Sequence, residues 1–452
     1  MTERARPAFA PVRLMHLMHI NRPRAGLTMS GHSDHNASSP PSAPRFAMWY
    51  ALVEQQREWM RAWRAATRHA FDAWPAATLP HAASSCYDDL FEPLLGPPDG
   101  PPHFDIGWPA LGERVVARTP FCDLRRFTRA DAPRTVLLCA PLAGHAAVMM
   151  RETVETLLAD GDVCVTDWRN ARDVPLAAGR FGLDEYVATL DGFVDGLAHD
   201  DRPLHVVAVC QATVPVLGAL ALRAARGLPS PASLTLIGGP LDARRNPSAL
   251  GTAAAAHSLG WCRRHLIDVV PPGFAGHGRH VFPTYLQQGE IALVYPQRFL
   301  SLIEGYALAA SRFDMTGLAC ARRALLEYTA LLDMPAEYFL DTVDIVFQRM
   351  SLALGTWDVG GQRVEPAALR GIVLLTVEGA CDKVTGAGQT HAALDLCSGL
   401  ADDERFRIDI DDCDHYGLFT GARWHGDVHP MLQRVFAWAE ARSPRPRRIR
   451  RT

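Results

Sequence analysis

The sequence predicts an α/β protein: a mostly parallel sheet with helices on both faces and a helical lid inserted late in the chain. Three observations predict it. Apolar runs alternate with helical segments from Thr135 to Gly239. The alternation then stops for more than a hundred residues, and it resumes with GIVLLTVEG and FRIDIDD. Strands of a parallel sheet are covered on both faces, so they read as unbroken apolar runs rather than as alternating ones.

Each element follows from its own pattern. Residues 1–46 include a stretch rich in Ser, Pro, His and Asn, which predicts a disordered extension. Met29 and Met48 are alternative starts. Residues 47–96 open with a helix in which Leu52, Trp59, Trp63, Ala66 and Ala70 fall on one stripe. That stripe suits packing on the main domain, or a Trp-rich face laid on a lipid or polymer surface. The core begins at about residue 97, within the linker GPPDGPP. RVVART and FCDLRRF are strand-like, and then the rhythm starts. TVLLCAP, DVCVTDW, LHVVAVC and SLTLIGG are strands, and AAVMMRETVETLLAD, LDEYVATLDGFVDGL and TVPVLGALALRAAR are the helices between them. Residues 241–365 form the lid, rich in aromatics that include Phe274, Phe282, Tyr285, Tyr338 and Phe339. Residues 366–442 complete the core, and 443–452 are a basic tail predicted to be disordered.

Bulk properties exclude several classes. The net charge of -3 implies no general pull toward nucleic acid. No run of about 18 apolar residues predicts a membrane span. The ten cysteines are scattered, with no CxxC pair, and fit a reducing, cytoplasmic setting better than a disulfide framework. No phosphate-binding glycine loop and no histidine spacing for a metal occur, so no cofactor and no metal are expected. Oligomeric state is not legible.

The chemistry concentrates at the ends of strands. Cys210 ends LHVVAVC and precedes a helix, with Ala208 and Ala212 in the positions two before and two after. Strand and helix approach closely at a nucleophile-bearing turn, so small residues are needed there. A helix N-terminus also favours a thiolate over a thiol. Asp382 follows GIVLLTVEG, and His415 follows FRIDIDD. Nucleophile, acid and His therefore occur in the chain order of an α/β-hydrolase, each at the carboxyl end of a strand. Asp242, in GGPLDARRNP, is the alternative acid, although a cap or an arginine partner also suits it. The oxyanion is expected on backbone N–H groups of Gln211 and of Leu142 or Ala143. His145 lines the pocket or simply occupies a turn. Some of Phe274, Phe282, Tyr285 and Tyr338 are expected on the wall of an apolar cleft leading to Cys210, and most of the lid's aromatics in its own core.

Long blocks of the sequence carry a resemblance. APLAGHAAVMMRETVETLLADGDVCVTDWRNARDVPLAAGRFGLDEYV, HVVAVCQATVPVLGA, LTLIGGPLDARRNP, LTVEGACDKVTGAGQT and HYGLFTGARW closely resemble intracellular polyhydroxyalkanoate depolymerases, over about residues 48–441. The resemblance implies hydrolysis of poly(3-hydroxybutyrate) at bacterial storage granules through Cys210, Asp382 and His415. Water or coenzyme A would accept the acyl group. Two departures stand out: Ala212 replaces the family's usual proline, and Lys383 replaces a second acid beside Asp382. A polyhydroxyalkanoate synthase-like acyltransferase is the rival within enzymes, but Ala208 and Ala212 stand where that family keeps glycine. A non-catalytic granule-binding protein is the rival outside enzymes.

Overall fold

The computed structural model describes residues 47–72, 103–108, 111–312 and 314–442. The extension read over 1–46 and the basic tail read over 443–452 lie outside the described residues.

The chain enters through α1 (Ala47–Asp72) and reaches β1 (Gly112–Arg118) and β2 (Cys122–Thr128). Next come β3 (Thr135–Cys139), the short α2 (Ala146–Met149), α3 (Arg151–Leu157) and β4 (Asp162–Trp168). α4 (Leu183–Ala198), β5 (Leu204–Val209), α5 (Thr213–Ala225) and β6 (Ser233–Ile237) follow. The expected rhythm is therefore present element by element. β3, β4, β5 and β6 are buried at every position, which is why they read as continuous apolar runs.

The insertion follows β6. It contains α6 (Ala249–Ala256), α7 (Leu259–His265), β7 (Asp268–Val269) and β8 (His280–Phe282). It continues through α8 (Thr284–Val294), α9 (Pro296–Ser311), α10 (Met315–Thr329), β9 (Met334–Pro335) and α11 (Ala336–Asp341). A hairpin, β10 (Asp358–Val359) and β11 (Gln362–Arg363), ends it. The lid is thus not wholly helical: β7, β8 and β9 pair antiparallel into a small sheet of their own. The core resumes with β12 (Val373–Gly379), α12 (Ala392–Leu396), β13 (Arg405–Ile410) and α13 (His429–Arg442).

The main sheet has eight strands in the order β1-β2-β4-β3-β5-β6-β12-β13. β1 and β2, and β2 and β4, pair antiparallel, and every other pair is parallel. This is the α/β-hydrolase arrangement. Apolar residues on its two faces form two separate cores. One joins the sheet to α4 and α5 through Tyr186, Leu190, Leu217 and Leu220. The other joins it to α3 and α13 through Val154, Leu157, Leu432 and Phe436. Each such side chain removed from water contributes about 1.5–3 kcal/mol. Gly218 in α5 marks where the end of the insertion packs down: a Cβ there would lie 2.7 Å from the Trp357 ring.

One expected face is reversed. Leu52, Trp59, Trp63 and Ala66 do not form the packed side of α1; they are exposed. The buried side carries Tyr50, Glu54 and Arg57. The reason is one ring and its polar surroundings: Tyr50 packs with Ala171, Val270 and Val281. The Tyr50 hydroxyl donates to buried Asp333, its backbone N–H donates to Asp268 at 3.2 Å, and Arg57 pairs with Glu54 at 2.5 Å. Buried charges that satisfy one another can specify a docking face that no hydrophobic stripe reveals.

Candidate active site

The turn after β5 sets the site. Cys210 adopts φ +56°, a left-handed conformation that non-glycine residues rarely hold. The strained turn lifts the side chain off the strand, and Cys210 is half-buried while Val209 and Ala212 are fully buried. Ala208 is also fully buried, hemmed between Cys139 on β3 and Leu236 on β6. The Thr213 hydroxyl donates to the Cys210 carbonyl at 2.8 Å and fastens the turn to the start of α5. Gly239 lets that start approach the end of β6, because a Cβ there would stand 1.7 Å from Thr213 Oγ1.

Two later strands bring the partners. Asp382 follows β12, and its Oδ1 accepts the N–H groups of Val384 and Thr385 at 2.8 and 2.9 Å. Its Oδ2 accepts from His415 Nδ1 at 2.7 Å. Both side chains are almost wholly buried. His415, after β13, lies close enough to Cys210 to feel the charge of its sulfur. Burial opposes a charge on this imidazole. The Asp382 carboxylate and the Cys210 sulfur outweigh that opposition and hold His415 well above its ordinary range. Gly238 backs the ring, where a Cβ would come within 3.3 Å of His415 Cε1. A thiol, an imidazole and a carboxylate in series can move a proton off sulfur and hold it. Asp242, the alternative acid, is engaged elsewhere. Arg244 donates to it at 2.8 and 2.9 Å, and the Arg244 hydrogen bonds keep its carboxyl below the usual range.

Residues 238–439, which carry both partners, match the family model described as PHB de-polymerase C-terminus. Over that stretch, a little under half of the chain, the sequence is similar to PHB depolymerases. No curated protein matches it. Among solved structures, the monoacylglycerol lipase of Paleococcus ferrophilus aligns with 14% identity and a TM-score of 0.42, covering 71% of this chain and 99% of that one. A thermophilic esterase from Thermogutta terrifontis aligns with 14% identity and a TM-score of 0.41, covering 73% and 99%. The fold assignment rests on the strand order above, not on these likenesses.

The remaining expected residues of the site divide. Gln211 lies in the turn beside Cys210, and Leu142 and Ala143 lie in the loop after β3, the neighbour of β5. Tyr338 is fully buried and close enough to Cys210 to feel its charge, with burial the larger influence pushing the phenol up. The other three rings have structural partners instead. Phe282 is buried and stacked on Phe339 at 4.1 Å. Phe274 lies under the Arg172 guanidinium at 4.8 Å. The Tyr285 hydroxyl donates to Asp268 at 3.0 Å. They therefore belong to the lid's own packing, where aromatic side chains gain most by burial.

Sequence reasoning missed Tyr295 and Arg298. The Tyr295 hydroxyl accepts the Lys383 N–H at 2.9 Å, and Arg298 donates to Asp414 at 2.6 Å. Neither residue belongs to a motif, so only the tertiary fold could reveal them. The Gly238–Gly239 pair was a readable signal, since two glycines closing a central strand mark close backbone approach.

Among the described residues one group of metal-ligating side chains converges, Glu378, His391 and Asp409. Its atoms are already engaged. Glu378 accepts the N–H groups of Gly388, Thr390 and His391 at 2.6–2.9 Å, His391 Nδ1 meets Thr376 Oγ1 at 2.8 Å, and Arg407 pairs with Asp409. It reads as a tie for the loop after β12.

His145 is buried at the head of α2, and its Nε2 has no hydrogen-bond partner. Burial, and then Arg172, lower its pKa to about 4. The unfolded chain therefore binds a proton near pH 6.5 that the fold refuses until about pH 4. Stability from this residue is full above pH 6.5 and is lost as pH falls, by on the order of 3 kcal/mol. Urea unfolding of the wild type and of His145→Gln at pH 7 and 4.5 checks this: the variant should lose clearly less on acidification. Equal losses would remove His145 as the cause.

Proposed function

We propose that this protein cleaves the ester bonds of poly(3-hydroxybutyrate) with Cys210 as nucleophile, His415 as base and acid, and Asp382 as the group that orients His415. The observation that carries the reading is Cys210 at φ +56°, near an imidazole that Asp382 holds at 2.7 Å.

His415 Nε2 takes the thiol proton as sulfur attacks the ester carbonyl. Backbone N–H groups of Gln211 and of Leu142 or Ala143 receive the developing oxyanion. The tetrahedral intermediate collapses, the C–O bond breaks, and His415 gives its proton to the departing 3-hydroxy end. A 3-hydroxyacyl thioester remains on Cys210. Water then attacks, His415 accepts its proton, the acid leaves, and the proton returns to sulfur. Coenzyme A in place of water would give a 3-hydroxyacyl thioester as product by the same steps.

The working place is the surface of cytoplasmic storage granules. The outward Trp49, Leu52 and Trp59 of α1 suit contact with an apolar polyester. No described helix is long and apolar enough to cross a membrane. Amorphous polymer, whose chains can detach and thread under the lid, is the expected substrate, in preference to crystalline polymer.

Incubation with amorphous poly(3-hydroxybutyrate) in ¹⁸O-water, with and without coenzyme A, tests the proposal by mass spectrometry. Labelled 3-hydroxybutyrate or its oligomers are expected in both arms. Acyl-coenzyme A product would assign thiolysis, and no product in either arm would refute the proposal.

A further inference from the structure

We infer that the inserted lid positions the acid and the base through two of its own residues, Tyr295 and Arg298, so that the catalytic geometry depends on a seated lid. The inference rests on the function proposed above and adds residues to it.

Tyr295 stands at the joint between α8 and α9 and is buried. Its hydroxyl accepts the N–H of Lys383, the residue after the acid, at 2.9 Å. It also lies near the backbone of His415, the base itself. One oxygen atom of the lid thus ties the acid loop and stands beside the loop of the base. Its ring stands edge-on to Tyr416 with centroids 6.2 Å apart, and Lys383 Nζ lies 5.8 Å from the ring.

Arg298, in the first turn of α9, grips the far side of the same base. It donates to Asp414 Oδ2 at 2.6 Å, and its guanidinium lies 4.3 Å from the Tyr416 ring centroid. The other Asp414 oxygen accepts the Gly417 N–H at 2.8 Å, which fixes the turn that carries His415. Tyr295 and Arg298 therefore hold the residue after the acid and both neighbours of the base.

The far end of the insertion does the same for the third loop. His145 N–H donates to the Ala330 carbonyl at 2.9 Å, and Leu332 N–H donates to the Ala143 carbonyl at 2.9 Å. Gly144 permits this approach, since a Cβ there would lie 2.8 Å from the Ala330 oxygen. Cys210 is fixed by its own turn, but the loops that carry Asp382, His415 and Ala143 each touch the lid. A displacement of about 1 Å in such an arrangement costs on the order of a hundredfold in rate. Arg298 and Asp414 are each a third exposed, so their ion pair contributes little to stability. An effect of Arg298 on rate would consequently not come through unfolding.

The test uses the full chain with Tyr295→Phe, Arg298→Gln and the conservative Arg298→Lys. Two quantities are measured: kcat and KM on a soluble 3-hydroxybutyrate oligomer, and the pH dependence of Cys210 alkylation by iodoacetamide. Alkylation is followed on the Cys210 peptide, because Cys320 and Cys381 are also exposed. The charged and titratable groups around His415 and its loop are Asp382, Cys210, Asp414, Tyr295, Lys383 and Arg298. Tyr295→Phe should lower kcat about 10- to 100-fold with KM within about threefold, as lost supporting contacts do. Arg298→Gln should lower kcat about tenfold, and Arg298→Lys should recover part of that. Alkylation of Cys210 near pH 6 should slow in both impaired variants, because a looser His415–Asp382 pair holds less imidazolium beside the sulfur. Variants with a lowered Tm but unchanged kcat and alkylation profile would overturn the inference and leave both residues structural. If the unaltered protein cleaves no ester, the proposed function falls and alkylation alone decides: a profile moved by the variants supports positioning, an unmoved one overturns it.

Discussion

Cys210→Ala is expected to remove essentially all ester cleavage while leaving the fold intact. The thiol is half-buried at the end of β5, so its loss opens little space. Alanine must adopt the same left-handed backbone that cysteine already holds at φ +56°, so the strain is carried over rather than created. The loss of rate is another matter. Without sulfur there is no atom to attack the ester and no thioester to form. Removal of a nucleophile from a working triad costs about a millionfold, which corresponds to about 8 kcal/mol of transition-state stabilisation. Circular dichroism and thermal unfolding should match the wild type, and polymer turnover should fall to the limit of detection. A variant that retains a tenth of the activity would reduce Cys210 to a core cysteine and move the chemistry elsewhere.

What made Cys210 legible in the sequence was its setting, not its type. Cys139 and Cys164 also lie in apolar strands, and both are buried and held far from ionisation by desolvation. Only Cys210 is followed at once by a helix, with alanines two residues away on either side. The sheet was legible for a related reason: strands covered on both faces are mostly apolar, and β3, β4, β5, β6 and β12 are buried at every position. The lid was legible only in outline. β7, β8 and β9 have two or three residues each and come from distant segments, so no local period announces them. Its aromatics were ambiguous for the same reason: a ring that lines a site and a ring that fills a core look alike in sequence. Phe282 and Tyr285 are held by Phe339 and Asp268, whereas Tyr295 carries the hydroxyl that meets the acid loop. The stripe of α1 suited either packing or an outward face; the packed side instead carries Tyr50 and Glu54, which meet Asp333 and Arg172 and show no hydrophobic period.

Asp382→Asn is expected to lower turnover by about ten-thousandfold, and the structure states why so small a change is so costly. Asp382 uses both oxygens. Oδ1 accepts two backbone N–H groups, which fixes the carboxylate in place, and Oδ2 receives the proton on His415 Nδ1 at 2.7 Å. In the variant, the amide carbonyl keeps the place of Oδ1, because only an acceptor satisfies those two N–H groups. The amide NH₂ must then face Nδ1. Two donors cannot meet, so the imidazole carries its proton on Nε2 instead, toward Cys210, where an acceptor is needed. Asp382 is also the largest influence that holds His415 in its charged form against burial, so the imidazolium formed during attack loses its counter-charge as well. Asp242→Asn provides the contrast. That carboxylate is bound by Arg244 and Arg245 at 2.8–3.3 Å and points its charge at them, so its loss should cost less than about tenfold in kcat. Steady-state kinetics on the two variants side by side decides the matter. If Asp242→Asn proves the more damaging, the acid sits after β6 and the pairing of Asp382 with His415 is structural.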